Sequence, residues 1–209
     1  MNLLLVRHGH SHHVLQDRIA DVRGCEGLTE TGVRQAQALA RRLAALESSH
    51  GKRATIVSSP VPRALQTARH IADALAAADV ALNPDLREVA PGDADGLRRP
   101  EYVRRYGAFD PGAEPDRPFA PAGESWNQFE LRVSATLEAL AKEYAGQDVV
   151  AVSHAGFIVT AFLQLMAIRT TDRAWLEPSN TGLTEWRHDG RRWRLARYND
   201  TSHLEPPTG

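Results

Sequence analysis

A short apolar segment near the amino terminus ends in an arginine and a histidine. Leu3 to Val6 is typical of a buried strand in a parallel sheet, and Arg7, His8 and Gly9 follow it directly. Ligands of open α/β sheets bind outside the carboxyl ends of the strands, so this basic pair lies where chemistry usually takes place. Considered alone, the pair is equally consistent with two solvated side chains at a strand end.

Two further strand ends carry side chains of the same kinds. A strand at 55–57 leads to Arg63 in the first turn of the next helix, and a strand at 149–152 leads to His154 at a helix N-terminus. Parallel strands place these ends at one edge of the sheet. Guanidinium groups and helix N-termini both favour anions, phosphate above all, so the sequence predicts an anion site. Glu88 adds a carboxylate at the start of an insertion.

Alternating strands and helices must position these groups. Thr29 is predicted to be the N-cap of an amphipathic helix that runs to about Leu46, and Ser125 the N-cap of another. This alternation predicts a mostly parallel sheet covered on both faces, that is, a three-layer α/β/α sandwich. The other predicted elements are a strand at 80–82, helices over 64–75, 100–106 and 154–165, and a β-hairpin of residues 183–188 and 191–198 around an Asp-Gly turn.

One segment departs from this alternation. Residues 89–123, here named the lid segment, are rich in proline, glycine, aspartate and arginine and are too long for a simple connection, so we predict a functional insertion or lid. Tyr102 and Tyr106 share one face of its short helix and are candidates to line a pocket. Its arginines alternate with acidic residues, so a second anion site and a solvated mixed-charge surface are both open. Residues 1–203 are predicted to form a single domain, and 204–209 a disordered tail.

The composition excludes several classes of function. The chain has 209 residues, 42% of them hydrophobic, and a formal net charge of -1 at pH 7, so no general positive field attracts nucleic acid or anionic membranes. Signal-peptide features are lacking, and no run reaches the ~18 apolar residues of a membrane span. Cys25 is the single cysteine, which rules out an internal disulfide and suits a reducing compartment. We expect a cytoplasmic protein that binds neither nucleic acid nor membrane.

Six motifs occur in order along residues 2 to about 198. They are Arg7-His8-Gly9; Leu28-Thr29 with Gly32 and Gln35-Ala36; Ser58-Ser59-Pro60 with Arg63 and Gln66-Thr67-Ala68; Leu86-Arg87-Glu88; Gly123-Glu124-Ser125; and Ser153-His154. A lone Arg-His-Gly is a weak signal, but six motifs at suitable spacing are a strong one. Together they resemble the motifs of the histidine phosphatase superfamily, which has the phosphoglycerate mutase-like fold.

The resemblance implies a catalytic role for three side chains. His8 is the nucleophile and forms a phosphohistidine, which splits one hard displacement into two easier ones. Glu88 protonates the departing alkoxide and then takes a proton from the attacking water. His154 offsets charge in the transition state and is cationic for that task, favoured by a neighbouring carboxylate or by bound phosphate. No metal or cofactor is implied. The implied phosphate-binding set is Arg7, Arg63, His154 and the backbone N–H of Ala155.

The loop after the first motif departs from the family's usual pattern. Many relatives have an acid after Arg-His-Gly and, farther on, an asparagine that often touches phosphate, but this chain has His10 and Val14 at those positions. The dense histidines His10, His12 and His13 raise the alternative of a metal site. No Asp, Glu or Cys alternates with them, so a solvated or phosphate-facing loop is the preferred interpretation.

Three functions are compatible with these residues. Hydrolysis of small organic phosphomonoesters is preferred. A cofactor-dependent phosphoglycerate mutase is the alternative, disfavoured because the lid segment is short for an enzyme that must exclude water from an intermediate. A non-catalytic phospho-ligand or protein-binding domain is the third, since fold does not fix function. The expected partner is a small-molecule phosphate ester, and homodimerisation, common in relatives, is left open.

Overall fold

The predicted strands form one sheet in the computed structural model, which describes residues 1–50, 53–77, 79–168 and 176–204. Three neighbouring pairs in this sheet are parallel and two are antiparallel, so the predicted mostly parallel sheet is confirmed and the C-terminal hairpin extends it. In chain order the strands are β1 (Asn2–Arg7), β2 (Thr55–Ser58), β3 (Ala81–Leu82), β4 (Asp148–Ser153), β5 (Leu183–His188) and β6 (Trp193–Asp200). Their order across the sheet is β3-β2-β4-β1-β5-β6.

Helices cover both faces of this sheet. Successive residues of a strand point to opposite faces. Leu5 therefore packs with Phe129 in one apolar cluster, while Val6 packs with Leu39 in the other. The three-layer α/β/α sandwich is confirmed. In chain order the helices are α1 (His12–Leu15), α2 (Glu30–His50), α3 (Pro62–Ala74), α4 (Arg99–Tyr106), α5 (Trp126–Glu143) and α6 (Ala155–Leu165), with α2 and α3 on one face and α5 and α6 on the other.

Side-chain caps begin the two long helices where the sequence predicts them. Thr29 Oγ1 accepts the N–H of Gly32 at 3.1 Å at the start of α2. At the start of α5, Ser125 and Gln128 form a capping box in which each side chain accepts the backbone N–H of the other. Helix α2 continues past the predicted end to His50, because the first glycine or proline after Leu46 is Gly51.

One helical turn is an exception to the sequence prediction. The histidine-rich segment expected to be a loop forms α1 over His12–Leu15. Four residues are too few for a helical hydrophobic repeat, and the two apolar ones, Val14 and Leu15, are 49% and 68% exposed. The pattern therefore carries no signal for this turn.

The lid segment has a small apolar cluster of its own. Its buried members include Ile19, from the loop after α1, and Tyr102, from α4. The Tyr102 hydroxyl donates to the carbonyl of Phe119 at 2.9 Å, and Tyr106 packs against the same cluster. The expectation that these tyrosines line a pocket is wrong for Tyr102, which is 4% exposed and fills the interior of the lid segment.

The C-terminal residues continue past the sheet. Ser202–Leu204 form a short 3-10 helix, so Leu204 of the predicted tail has regular structure, and 205–209 lie outside the described residues. None of the helices in the described ranges combines the length and the apolar composition that crossing a membrane requires.

Candidate active site

Two histidines and an arginine form a buried cluster where β1, β2 and β4 end. Arg63 Nε lies 3.0 Å from His8 Nε2, and Arg63 Nη2 lies 3.0 Å from His154 Nδ1. The centroids of the two imidazole rings are 5.2 Å apart. His8 and Arg63 are 3% exposed and His154 is fully buried. The structure thus brings together three residues that the sequence places at separate strand ends.

The hydrogen bonds define the tautomer of each imidazole. A guanidinium has only donors, so the two ring nitrogens that face Arg63 are acceptors. His8 therefore carries its proton on Nδ1, which donates to the carbonyl of Gly9 at 2.8 Å, and keeps a lone pair on Nε2. His154 carries its proton on Nε2, which donates to Ser59 Oγ at 2.9 Å. Burial, followed by the charge of Arg63, lowers the pKa of both histidines well below the ordinary value.

The surroundings of His154 favour its neutral form when no anion is bound. Its two ring nitrogens bond to Arg63 and Ser59, and neither partner is a carboxylate. Burial and Arg63 both lower the pKa of His154, so of the two causes expected to favour its cationic form only a bound phosphate is left as a prediction. A dianion placed between these groups acts in the opposite direction, since an opposite charge raises the pKa of an imidazole.

Residues 178–181, directly before β5, hold the first motif, Arg7-His8-Gly9, in place. Arg7 Nη1 donates to the carbonyl of Pro178, the Thr181 N–H donates to the carbonyl of Arg7, and Asn180 Nδ2 donates to the carbonyl of His8. Arg7 Nε is buried and has no hydrogen-bond partner among the described residues, which leaves a donor for an anion. No motif in the sequence predicts the contribution of this segment.

Glu88 lies against the first turn of α6. Its Oε2 accepts the N–H of Gly156 at 2.8 Å, and its Oε1 accepts the N–H of Val89 at 3.3 Å. A Cβ at position 156 would lie 2.1 Å from Glu88 Oε1, so this contact requires glycine. Ala155, predicted to offer its N–H to phosphate, precedes this position at the start of the same helix. Sequence reasoning missed Gly156.

Arg132 on α5 holds the backbone around Glu88. Its Nη2 donates to the carbonyl of Glu88 at 3.0 Å, and its Nη1 donates to the carbonyl of Arg87 at 3.0 Å. The same guanidinium pairs with Glu124 at 2.6 Å, and Glu124 Oε2 also accepts the N–H of Ala90 at 2.8 Å. These bonds give the Glu124 motif residue a structural role, the attachment of the Glu88 loop to α5.

Motif residues on α2 and α3 hold the loop after β1. The Gly9 N–H donates to Thr67 Oγ1 at 3.1 Å, and the His10 N–H donates to Gln35 Oε1 at 2.9 Å. A Cβ at Gly32 would lie 2.0 Å from the carbonyl oxygen of His10. The second and third motifs therefore position the first.

The histidines of this loop face different partners. His10 Nδ1 lies 2.9 Å from Thr29 Oγ1 at the start of α2. His13 Nδ1 lies 2.8 Å from Ser11 Oγ, and its ring centroid is 6.0 Å from that of His8. Within the described part of the chain, no three His, Cys, Asp or Glu side chains are grouped so that they could hold a metal ion.

Similarity to known proteins extends over almost the whole chain. The family model of the histidine phosphatase superfamily (branch 1) matches residues 3–201. The chain is 30% identical over 208 residues to phosphoglycerate mutase-like protein 4 of Arabidopsis thaliana, covering 97% of this chain and 86% of the relative. It is 29% identical over 206 residues to a metal-independent phosphoserine phosphatase of the same plant, covering 97% and 82%.

The fold of the chain is also similar to that of a solved phosphatase structure. A phosphoserine phosphatase from Entamoeba histolytica in complex with phosphoserine superposes with a TM-score of 0.77 at 26% identity, over 98% of this chain and 99% of that one. The chain belongs to the histidine phosphatase superfamily, branch 1. The family and the phosphoglycerate mutase-like fold predicted from the six motifs are confirmed.

Proposed function

We propose that the protein hydrolyses small organic phosphomonoesters through a phosphohistidine formed on His8. The observation that carries this proposal is the tautomer of His8, whose proton is held on Nδ1 by Gly9 while Nε2 keeps its lone pair among cationic groups. The buried and unpartnered Nε of Arg7 supports an anion in the same place. The phosphatases among the relatives, one of them in complex with phosphoserine, support a phosphomonoester as the substrate class.

The first step transfers the phosphoryl group to the enzyme. Arg63 leaves His8 Nε2 and, with Arg7, binds the phosphoryl oxygens, because charge-assisted bonds to phosphate are stronger than a bond to neutral imidazole. His8 Nε2 then attacks phosphorus, and the bond from phosphorus to the ester oxygen breaks. Glu88, in its protonated form, gives its proton to the departing alkoxide. His154, protonated when the dianion is bound, offsets the charge that develops.

The second step returns the enzyme to its starting state. Water attacks the phosphorus of phosphohistidine and passes a proton to the Glu88 carboxylate, and the bond from phosphorus to Nε2 breaks. His8 is again neutral, with its Nδ1 proton bonded to Gly9 throughout. The bond from the Gly156 N–H keeps Glu88 at the same position in both steps. The backbone N–H of Ala155 is the remaining proposed phosphate ligand.

The test is phosphate release from a panel of phosphomonoesters, with and without EDTA. Wild-type protein is expected to hydrolyse at least one ester in EDTA and to form an acid-labile phosphoprotein. His8→Ala is expected to lose about 10³-fold or more in kcat/KM, since it lacks the nucleophile. His12→Ala is the matched control, because His12 belongs to α1 and not to the proposed site. Activity that does not depend on His8 would contradict the proposal.

Mutase activity is the second candidate, favoured by the similarity to phosphoglycerate mutase-like protein 4. A mutase must retain its bisphosphate intermediate and exclude water, and the lid segment is short for that purpose. Conversion of 3-phosphoglycerate to 2-phosphoglycerate in the presence of a bisphosphate primer distinguishes mutase activity from hydrolysis. We expect phosphate release to be faster than this conversion.

We further propose a single domain over residues 1–203, a cytoplasmic location and a homodimer. The described sheet runs from Asn2 to Asp200, which supports one domain. The single cysteine, Cys25, supports a reducing compartment. Limited proteolysis, fractionation of the producing cells and sedimentation analysis test these three proposals in turn.

A further inference from the structure

His13 lies at the edge of the proposed site, and its orientation is defined by the fold. The single turn of α1 begins directly after Ser11, which is fully buried. The Ser11 hydroxyl and His13 Nδ1 are 2.8 Å apart, so the serine orients the ring. The ring meets the His8 ring edge-on with 6.0 Å between centroids. Its second nitrogen, Nε2, is not part of the bond to Ser11.

The charges around His13 are those of the phosphate site. Burial lowers the pKa of His13 to about 3, and the positive charges near it act in the same direction. These cations belong to three elements, since α3, β1 and α4 each contribute one. The groups that face His13 are Arg63 from α3, Arg7 from β1, Arg99 from α4, His10 from its own loop, and His8 and His154 at the ends of β1 and β4.

Two neighbouring residues of α1, His13 and Val14, differ in what their side chains can offer an anion. Val14 has an apolar side chain that is 49% exposed. It offers no donor to an anion. His13, one residue earlier, has Nε2 outside its bond to Ser11 and lies near Arg63 and Arg7, the guanidinium groups that also act on His8. A dianion held between these groups would bring its negative charge close to the imidazole.

We propose that His13 is a further phosphate-binding residue, which takes up a proton when the dianionic phosphoryl group binds and then donates a charge-assisted hydrogen bond from Nε2 to it. This inference rests on the proposed function, because it places the phosphoryl group beside His8. In the free protein the imidazole is neutral, which avoids a further buried charge next to Arg63. The bound dianion offsets the positive charges around the imidazole and raises its pKa.

This mechanism links binding of the anion to proton uptake. A group that is neutral in the free protein and cationic in the complex makes affinity increase as the pH falls. The effect continues until the pH reaches the lower of the two pKa values. His154 contributes to the same uptake, so the share of His13 has to be isolated by substitution. His13→Gln removes the titration and keeps a side chain that can donate a hydrogen bond.

The experiment uses sulfate, which stays a dianion between about pH 5 and 8, so that any titration belongs to the protein. Isothermal titration calorimetry in buffers of different ionisation enthalpy gives the sulfate affinity and the number of protons taken up. Wild-type protein and His12→Gln, the matched control on the same turn, are expected to behave alike. His13→Gln is expected to bind sulfate about tenfold more weakly near pH 6, to take up fewer protons, and to approach the wild-type affinity near pH 8.

Two results would overturn the inference. One is a His13→Gln variant that takes up as many protons as the wild type. The other is a loss of affinity that is the same at every pH, because it would mean that His13 only shapes the site. The sulfate titration needs no turnover, so it is independent of the proposed hydrolysis. If His8-dependent hydrolysis is present and His13→Gln is indistinguishable from wild type, the inference fails and the proposed function stands.

Discussion

The floor of the site, formed by the ends of β1, β2 and β4, and the lid segment are built in different ways. In the floor, strand register places His8 and His154 at adjacent strand ends, since Arg7 of β1 pairs with Ser153 of β4. The side chains there are buried and bonded to one another. The lid segment has a cluster of few buried residues, and hydrogen bonds between its residues 95–99 and the loop of residues 17–24 hold it in place.

One aspartate side chain makes three of the hydrogen bonds between those loops. Asp95 of the lid segment accepts the N–H of Asp21 at 2.8 Å, of Arg23 at 3.0 Å and of Gly24 at 3.0 Å. The chemistry of the floor is thus defined by the sheet that all parts of the core support. The position of the lid segment depends on contacts between two loops, among them those of Asp95 and the backbone bonds of Ile19 with Gly96 and Leu97.

Substitution of Arg63 in the floor is expected to have the largest effect. Arg63→Ala removes the guanidinium that contacts both histidines, and we expect kcat/KM to fall by about 10³-fold or more. Arg69→Ala, at an exposed position of the same helix, is the control and is expected to retain activity. Steady-state kinetics on the best ester measures both. If Arg63→Ala loses no more than Arg69→Ala, the floor does not hold the phosphoryl group.

Gly156→Ala tests whether the contact with α6 positions Glu88, the proposed proton donor. The added Cβ would lie 2.1 Å from Glu88 Oε1 and displaces the carboxylate. We expect kcat to fall by about 10²-fold, the scale of a positioned general acid. Melting temperature should change little, because alanine has a higher helix propensity than glycine and offsets part of the strain. An unchanged kcat would show that Glu88 need not occupy this position.

The pair of Glu124 and Arg132 attaches the Glu88 loop, after which the lid segment begins, to α5, and its contribution to stability depends on pH. Burial alone raises the pKa of Glu124, but its bonds to Arg132 and to the Ala90 N–H outweigh this and hold the pKa below the ordinary value. A lowered folded-state pKa gives stability that is present above the unfolded pKa, about 4.3, and is lost as the pH falls through the folded value.

Glu124→Gln is therefore expected to lower the free energy of unfolding by about 1–2 kcal/mol near pH 7. The difference from wild type should shrink below about pH 4, where the wild-type carboxylate becomes protonated in turn. Urea unfolding at several pH values measures this. A difference that is constant with pH would mean that the charge of Glu124 is not what stabilises the protein.

Asp95→Asn in the lid segment is expected to have the smallest effect. The amide keeps one acceptor but turns an N–H₂ group toward backbone donors, so the contact with residues 21–24 weakens. We expect KM to rise about threefold to tenfold while kcat stays within about twofold, because the floor is unchanged. Asp93→Asn, at an exposed position of the same segment, is the control. A large loss of kcat would remove the distinction between the two regions.

Local signals made the floor predictable from the sequence. Strand ends, the Thr29 and Ser125 caps and the six motifs depend on residues near one another in the chain, and the structure agrees with them. The missed features depend on distant contacts. The contact of Gly156 with Glu88 spans 68 positions, and the bond from Asn180 to His8 spans 172. The burial of Tyr102 in the lid segment is likewise a tertiary outcome that helical spacing does not specify.

The hydrogen bond from Arg63 to His8 Nε2 also bears on selectivity among reactive compounds. An imidazole with a free lone pair attacks carboxylic esters as well as phosphoryl groups. Here that lone pair is engaged by a guanidinium, and a neutral acyl group offers the guanidinium nothing better to bind. Only an anionic group can draw Arg63 away, so the site that catalyses phosphate ester hydrolysis should leave neutral carboxylic esters such as aryl acetates intact.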